Sequence, residues 1–292
     1  MKRFGFHVGW RVAGGVFLLV LLLGQPRGGF GASVDYFGSL RKRLAADGFD
    51  PGRITHLYRD PKISFETRGV SMYFVHSEGK LNYDQFLAPP MIRKARIYMM
   101  NHDGVMGQAE RIYGVDRQVI TAILLVETKL GSYVGNRLVF NTFSTMAALS
   151  DPAVRNALWT EIQENTTLSR AAYDAKALKK SSWAYSELKS FLVYSQRHAI
   201  DPLTVKGSYA GALGLCQFLP SNVLKLGRDG NGDGRLDLFD PPDAIMSVAN
   251  YLNHHGWRPG LPEATAAKVI YSYNHSRYYV STVLKIAKEL KG

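Results

Sequence analysis

An apolar helical segment that ends at residue 127 constrains this chain most, because it has to be buried and yet carries an acid. Ile120, Ile123 and Leu124 recur at the spacing of one helix face, and Glu127 is the acidic residue in the run. Burial disfavours an ionised carboxylate and raises its pKa. Glu127 is therefore predicted to stay protonated near neutral pH, as a general acid must. The competing interpretation is a surface Glu in the last turn of a helix.

A glycine-rich block lies further along the chain, at residues 206–221, KGSYAGALGLCQFLPS. Its glycines allow the backbone to approach closely either another helix or a ligand. Ser208 and Gln217 can hydrogen-bond hydroxyl and acetamido groups. No Gly-Lys-Ser/Thr follows the glycines, which excludes a phosphate-binding loop. Cys216, among apolar neighbours, is predicted to be a small buried side chain rather than a nucleophile.

An acidic loop at residues 229–240, DGNGDGRLDLFD, follows the spacing of a calcium-binding loop, with Gly at position 6. Oxygen-bearing side chains stand at loop positions 1, 3, 5 and 9, which are Asp229, Asn231, Asp233 and Asp237. Arg235 at position 7 would contribute its backbone carbonyl. The loop shows no nucleophile or base beside it, so the predicted role of Ca²⁺ is structural.

The closing ligand of this loop is left open between two acids. Asp240 stands at position 12, where an EF-hand has Glu, and the shorter Asp side chain disfavours the bidentate contact. Asp243, one turn into the next helix, would close a longer loop instead. The alternative to a metal site is that the acids form turns and Asp240 caps that helix.

The first 33 residues have the three-part form of a secretory signal. Lys2 and Arg3 precede an uncharged apolar run, Val12–Leu23, and small residues follow up to Ser33. The run is too short to span a bilayer comfortably. The single cysteine, Cys216, lies far downstream, so no cysteine is placed to carry a lipid. These features predict export to a bacterial periplasm, with an uncleaved anchor as the alternative.

The net charge of +12 predicts attraction to a polyanion, which could be nucleic acid, an acidic wall polymer or a membrane surface. The chain has no recognition-helix signature, zinc spacing or long Lys/Arg run, which argues against nucleic acid. It also has neither an HExxH motif nor a dinucleotide fingerprint, so no organic cofactor is expected.

Apolar periodicity predicts a mostly helical chain. Asp116 is predicted to cap the helix that ends in Glu127. Residues 61–82 read as irregular with a little strand. The stretch 150–200 reads as several short helices, including separate ones at 168–178 and 183–194.

Five separated motifs, taken in order, resemble the B-type lytic murein transglycosylases of glycoside hydrolase family 103. They are Glu-Thr-x-x-Gly at 127–131, the glycine-rich block at 207–221, Leu-Phe-Asp-Pro at 238–241, Val-Ala-Asn-Tyr-Leu-x-x-His-Gly-Trp at 248–257, and Tyr-Asn at 273–274. The resemblance runs from about Tyr83 to the C-terminus, and residues 34–82 and 150–200 match poorly. The family has Trp where this chain has Leu130, and an aromatic residue or Met where it has Cys216.

The resemblance implies a lysozyme-like α+β core with an inserted helical domain and an EF-hand-like calcium loop. The expected divisions are a signal peptide at 1–33, an N-terminal segment of undetermined fold at 34–82, a catalytic core at 83–149 and 201–292, and an inserted helical region at 150–200. The metal ligands expected from this loop are Asp229, Asn231, Asp233, Arg235 and Asp243.

The implied reaction is non-hydrolytic cleavage of the MurNAc–GlcNAc β-1,4 bond of peptidoglycan, which leaves a 1,6-anhydro-MurNAc end. Glu127 would serve as both acid and base. The implied substrate-binding residues are Ser208, Gln217, Tyr251, Tyr273, Asn274, Tyr279 and Tyr83. Glycan strands are the expected partner of a monomer, and cell-wall synthesis proteins are further candidates. The alternatives are a hydrolytic muramidase and a catalytically silent peptidoglycan-binding protein.

Overall fold

The computed structural model of this protein describes residues 35–75 and 82–292. The structure is 65% helix and 2% strand, which confirms the predicted mostly helical class. Asp35–Gly292 form one compact unit. The predicted signal peptide lies outside the described residues and stays a prediction. The predicted domain divisions also stay a prediction.

The helices surround one continuous hydrophobic core. In chain order they are α1 Gly38–Ala46, α2 Pro51–Arg59, α3 Thr67–Val75, a 3-10 helix Tyr83–Leu87, α4 Pro89–Asn101, α5 Asp103–Tyr113, α6 Arg117–Thr128, α7 Val139–Ala148, α8 Pro152–Ile162, α9 Arg170–Arg197, α10 Pro220–Leu226, α11 Pro241–His254, α12 Glu263–Tyr273 and α13 Arg277–Lys291.

Two short strands form the β element next to the glycine-rich block. β1, Arg137–Leu138, pairs antiparallel with β2, Lys206–Gly207. Single bridges extend the pairing from Gly207 to Leu213 and from Leu213 to Phe218. The start of the glycine-rich block is therefore folded back on itself beside β1.

Helix α6 lies in the core of the unit and contacts α4, α5, α11 and α13. Eight of its 12 residues are buried, so it packs on nearly all sides rather than on one face. This arrangement agrees with the apolar run from which the helix was predicted. It also brings the end of α6, where Glu127 lies, beside the C-terminal helix α13.

Asp116 occupies the predicted N-cap position of α6, but its side chain makes no capping hydrogen bond. Its carboxylate lies 3.9 Å from Lys291 Nζ. Glu110, at the end of the preceding helix, instead accepts a hydrogen bond from the backbone N–H of Arg117 at 3.0 Å. A tertiary partner has replaced the local cap.

The irregular conformation predicted for residues 61–82 is wrong where α3 forms. Val70 and Phe74 lie one helical turn apart and are both buried. The Phe74 ring contacts Tyr173 edge-on, with ring centroids 5.1 Å apart. Packing against α7 and α8 thus outweighs the weak helix propensity of β-branched and aromatic residues.

The two helices predicted within 168–194 are one helix, α9, of 28 residues. No Gly or Pro interrupts the Lys-Lys-Ser-Ser stretch at 179–182, so the polar residues continue the helix instead of ending it. α9 packs along α7 and α10. Although α9 is long, it is rich in charge, and none of the described helices combines the length and apolarity needed to cross a membrane.

Candidate active site

The chain reverses direction immediately after Glu127. Lys129, Leu130 and Gly131 all have positive φ, at 51°, 60° and 84°. A left-handed conformation costs a residue with a side chain about 1–2 kcal/mol, so two consecutive non-glycine residues need external support. Part of that support comes from Lys94, whose Nζ donates to the Lys129 carbonyl at 2.8 Å.

Thr128 joins the end of α6 to the glycine-rich block. Its hydroxyl donates to the Leu215 carbonyl at 2.9 Å and accepts from the Gly131 N–H at 3.0 Å. The residue is buried, so these hydrogen bonds are shielded from water. Glu127 is thereby held in a fixed position relative to the block that contains Gln217.

Glu127 is half-buried and is hydrogen-bonded by a tyrosine from the far end of the chain. The Tyr279 hydroxyl donates to Glu127 Oε1 at 2.7 Å. Desolvation raises the pKa of Glu127 to about 7, and the hydrogen bond from Tyr279 opposes part of that rise. Burial also raises the pKa of Tyr279 above its ordinary value, so the phenol stays a donor. A carboxyl with this pKa is suited to give and take a proton near neutral pH.

A cluster of tyrosines surrounds this pair. The Tyr273 and Tyr279 rings are nearly parallel with centroids 6.4 Å apart, and the Tyr251 and Tyr273 rings meet edge-on at 4.8 Å. Tyr83, in the 3-10 helix, lies near enough to Tyr279 to affect its pKa. Four predicted substrate-binding tyrosines therefore lie together beside Glu127.

The hydroxyls of two of these tyrosines are engaged by the protein backbone. Tyr273 donates to the Cys216 carbonyl at 2.5 Å, and Tyr251 donates to the Ser272 carbonyl at 2.7 Å. The Tyr251 ring is buried, whereas the Tyr273 ring is half-buried. Asn274 follows Tyr273 as the C-cap residue of α12 and is also half-buried.

Gln217 has a strained backbone and an anchored side chain. Its φ is 50°, and its Nε2 donates to the carbonyls of Gly214 at 2.9 Å and Val134 at 3.3 Å. A positive φ at a non-glycine residue is uncommon and is concentrated at functional sites. The anchoring uses the donors of the amide and leaves its carbonyl oxygen as an acceptor.

Ser208 closes the turn at the start of the block. Its hydroxyl accepts from the N–H groups of Ala210 and Ala212, both at 3.2 Å. The residue is half-buried, and the hydroxyl hydrogen is still available for donation.

The glycines of the block make close contacts within the protein. A Cβ at Gly214, where φ is 74°, would lie 2.4 Å from Leu238 Cβ, and one at Gly211 would lie 2.3 Å from the Phe143 ring. Cys216 is fully buried, as predicted, and burial raises the pKa of its thiol. These glycines serve close protein packing, which was one of the two predicted uses.

The acidic loop is folded by hydrogen bonds from its backbone to its own side chains. Asp229 accepts from the N–H groups of Gly232 at 2.6 Å and Gly234 at 2.8 Å, and Asp233 accepts from Arg235 at 2.8 Å. The loop is joined to the glycine-rich block by Leu238, whose carbonyl accepts from Leu215 N.

Asp243 ties the two ends of the loop together. Its carboxylate accepts from Gly230 N at 2.8 Å and Asp237 N at 2.7 Å, and the side chain is buried. Burial raises the pKa of this carboxyl, and the backbone donors oppose the rise. Asp240 stands at the N-cap position of α11 without a side-chain cap hydrogen bond. Asp240 instead accepts from Asn231 Nδ2 at 2.8 Å.

The donor set of this loop suits a hard cation, because its side chains supply oxygen atoms. Asn231 Nδ2 donates a hydrogen bond to the Asp240 carboxylate. A cation would also favour a position beside this carboxylate. No group of three or more His, Cys, Asp or Glu side chains within residues 35–75 and 82–292 is arranged to hold a metal ion. The five predicted calcium ligands therefore stay a prediction.

The structure brings Glu127, Gln217, Tyr273 and Tyr279 into one region, and the Leu215–Leu238 hydrogen bond links this region to the acidic loop. Sequence reasoning missed the contact between Tyr279 and Glu127, the Thr128 link to Leu215 and the support from Lys94. The first joins residues 152 positions apart, and no local spacing signals it.

Comparisons with known proteins agree on one family. The model described as Transglycosylase SLT domain matches residues 33–269. The membrane-bound lytic murein transglycosylase B of Escherichia coli K12 is 30% identical over 183 residues, which is 63% of this chain. The match spans 43% of that relative's length, so this chain covers less than half of it.

Solved structures share the fold at lower identity. The soluble lytic transglycosylase SltB1 of Pseudomonas aeruginosa superposes with a TM-score of 0.71 at 23% identity, covering 86% of this chain and 97% of that one. The lytic transglycosylase Slt35 of Escherichia coli, solved in complex with calcium, superposes with a TM-score of 0.69 at 21% identity, covering 90% of this chain and 95% of that one.

Proposed function

The chain belongs to the transglycosylase SLT domain family, and we propose that it cleaves the MurNAc–GlcNAc β-1,4 bond of peptidoglycan without water. The observation that carries this proposal is the Glu127 carboxyl, half-buried at the end of an apolar helix with a pKa raised to about 7. The relative from Escherichia coli bears the name of a lytic murein transglycosylase, which supports the same substrate.

Glu127 acts twice in the proposed reaction. Its carboxyl proton passes to the glycosidic oxygen as the bond from that oxygen to C1 of MurNAc breaks, and the MurNAc acetamido group stabilises C1. The C6 hydroxyl oxygen of the same sugar then bonds to C1, and its proton returns to Glu127. The product is a 1,6-anhydro-MurNAc end, and the carboxyl is restored without any net uptake of water.

One carboxyl suffices for this reaction, whereas ordinary glycosidases use a pair. Burial and the Tyr279 hydrogen bond account for the shifted pKa of Glu127, with no contribution from a second carboxylate of the described residues. A muramidase would place water where the C6 hydroxyl attacks in the transglycosylase. The muramidase remains the second candidate because the same Glu127 would serve it.

The residues around Glu127 have distinct proposed roles. Tyr279 holds and orients the carboxyl through its 2.7 Å hydrogen bond. The free amide oxygen of Gln217 and the side chains of Ser208, Tyr273 and Asn274 hydrogen-bond the glycan and its acetamido group. Tyr83 and Tyr251 complete the aromatic surround. Glycan strands are the proposed partner, and cell-wall synthesis proteins are further proposed partners of a monomeric enzyme.

Calcium is proposed as a structural ion of the loop at residues 229–240. Asp229, Asn231 and Asp233 supply side-chain oxygens, Arg235 its carbonyl and Asp243 the closing carboxylate. The calcium complex of Slt35 supports this proposal. Ca²⁺ is expected to raise the melting temperature, Mg²⁺ at equal concentration to raise it less, and Asp233→Ala to remove the gain. An unchanged melting temperature in Ca²⁺ would contradict the site.

A periplasmic location is proposed from the signal-like leader, and it fits a substrate that lies outside the cytoplasmic membrane. The measurement is fractionation of a cell that expresses the full chain, with detection of the protein in the periplasmic fraction. Recovery in the cytoplasm alone would contradict this proposal.

The proposal is tested by Glu127→Gln. This variant keeps the size and hydrogen-bonding capacity of the side chain but cannot exchange the proton. Clearing of a peptidoglycan suspension is expected to fall by about a thousandfold, while sedimentation with the same material is retained. The matched control is Glu161→Gln on the exposed face of α8. Full clearing by Glu127→Gln would favour a different catalytic group, and absence of clearing by the intact protein would favour the binding-protein alternative.

A further inference from the structure

Three aromatic rings from distant parts of the chain meet beside the glycine-rich block. The Tyr73 ring of α3 lies 5.7 Å from Tyr209, which follows Ser208 directly, and 6.3 Å from Trp183 of α9. The Tyr209 side chain is 44% exposed, while Tyr73 and Trp183 are half-buried. Tyr73 and Trp183 therefore form a base from which the Tyr209 ring presents a face to solvent.

A lysine is fixed against two of these rings. Lys180 Nζ lies 4.6 Å from the Tyr73 ring centroid and 4.9 Å from that of Trp183. A cation at this distance is attracted by the negative ring face, so the ammonium group is held in place. We call Tyr73, Lys180, Trp183 and Tyr209 together the cationic aromatic patch.

The charge of Lys180 is not neutralised by any acid in the described part of the chain, since no ion pair there includes it. Lys176 and Lys179 lie on the same helix, four positions and one position before it, and add positive charge. Burial and these two neighbours lower the pKa of Lys180. An anion beside Lys180 would relieve this repulsion, which makes the patch selective for a negative group.

A chain of packing contacts and one hydrogen bond joins the patch to the proposed active site. The Phe143 ring meets Trp183 edge-on at 5.8 Å and packs against Gly211, where a Cβ would lie 2.3 Å from the ring. Gly211 N in turn donates to the Ser208 carbonyl at 3.0 Å. A ligand that contacts Tyr209 is thus adjacent to the residue proposed to hold the glycan.

We propose that the cationic aromatic patch binds a carboxylate of the peptide stem carried by the glycan strand. Lys180 pairs with the carboxylate, and the exposed Tyr209 ring packs on the aliphatic part of the stem. The inference rests on the proposed function, because it takes the glycan bound at Ser208 as the anchor of the stem. The enzyme would accordingly prefer peptide-bearing strands to peptide-free ones.

The chemistry of the patch agrees with this ligand. An ammonium group gives a carboxylate a charge-assisted hydrogen bond, which a neutral sugar hydroxyl does not match. The aromatic rings give apolar contact area next to that charge. An uncharged oligosaccharide of GlcNAc would leave Lys180 unpaired and gain only the ring contact.

The test is a binding measurement in the Glu127→Gln background, which prevents turnover. The ligands are a disaccharide muropeptide with free stem carboxylates, the same muropeptide with those carboxylates amidated, and a GlcNAc tetramer. Lys180→Gln is expected to weaken binding of the first ligand about tenfold and to leave the other two unchanged. Lys179→Gln removes the same charge one residue away on an exposed position and is expected to have little effect. Lys180→Arg restores the charge and should restore binding.

The results separate this inference from the function on which it rests. Equal loss of all three ligands in Lys180→Gln, equal loss in Lys179→Gln, or unchanged binding in Lys180→Gln would overturn the inference while leaving the proposed function standing. If the Glu127→Gln background binds neither the muropeptides nor the GlcNAc tetramer, the proposed glycan site is contradicted and the inference with it. Melting temperatures equal to that of the background would show that each variant is folded.

Discussion

At the scale of single residues, the protein places a carboxyl where burial disfavours its charge and where the proposed chemistry needs a proton donor. Glu127 is placed among apolar side chains that disfavour its ionised form, and a single hydrogen bond from Tyr279 limits how far its pKa rises. Desolvation and the phenol thus act in opposite directions on the same carboxyl. The balance between them is measurable through both stability and activity.

Glu127→Gln is expected to stabilise the protein at alkaline pH. Because the pKa is about 7 in the folded state and near 4.5 ordinarily, the unfolded chain releases this proton earlier as the pH rises. The free energy of unfolding of the native protein therefore falls between these pH values, and Gln removes that loss. The variant should be more stable by about 3 kcal/mol at pH 8 and nearly equal at pH 4, as measured by urea unfolding. A constant difference across this pH range would contradict the raised pKa.

Tyr279→Phe is expected to move the alkaline limb of the pH–activity profile to higher pH. The Tyr279 hydroxyl lowers the pKa of Glu127, so its loss keeps the acid protonated to higher pH. The turnover number should fall about fivefold because the carboxyl loses its orienting hydrogen bond. Tyr278→Phe is the control, since that side chain is 77% exposed. An unshifted limb in Tyr279→Phe would show that this hydrogen bond does not tune the acid.

At the scale of elements, the proposed active site depends on a turn with positive φ and on close packing around glycines. The turn after α6 runs through three residues with positive φ, and the glycine-rich block packs against Leu238 of the acidic loop. Thr128 and Leu215 join the two segments. The glycine-rich block therefore connects α6 with the acidic loop.

Gly214→Ala is expected to destabilise the protein by about 3 kcal/mol, because a Cβ there would lie 2.4 Å from Leu238 Cβ at a backbone with φ of 74°. Gly260→Ala is the matched control: its φ is 72°, but no atom lies within 4 Å of the added Cβ. The control should cost only about 1 kcal/mol. Equal losses in thermal unfolding would indicate that backbone strain, rather than the contact with Leu238, makes Gly214 necessary.

The elements that sequence reasoning predicted are those whose signal is local. The apolar run that ends at Glu127 predicted α6, and the order of the five motifs predicted the family and a lysozyme-like fold. The helix α3 was missed because the burial of Val70 and Phe74 depends on partners far along the chain. The conformation of Lys129 and Leu130 was also unpredictable, because propensity disfavours positive φ and only tertiary contacts impose it.

At the scale of the whole molecule, a basic protein places a half-buried acid, Glu127, beside a cluster of tyrosines. The net charge of +12 attracts an acidic polymer without specifying which bond is cleaved. Specificity is assigned to the residues around Glu127 and, further out, to the cationic aromatic patch. The long-range attraction and the local chemistry are thus carried by different parts of the protein.

The central claim is that Glu127 alone drives an intramolecular transfer rather than hydrolysis, and the mass of the products tests it most directly. Purified peptidoglycan digested with the protein is predicted to release 1,6-anhydro-muropeptides, each lighter by one water than its hydrolysed counterpart. The same digestion with Glu127→Gln is predicted to release none. Muropeptides with reducing ends would contradict the transfer and assign the same site to a muramidase, and anhydro products from Glu127→Gln would contradict the role of Glu127.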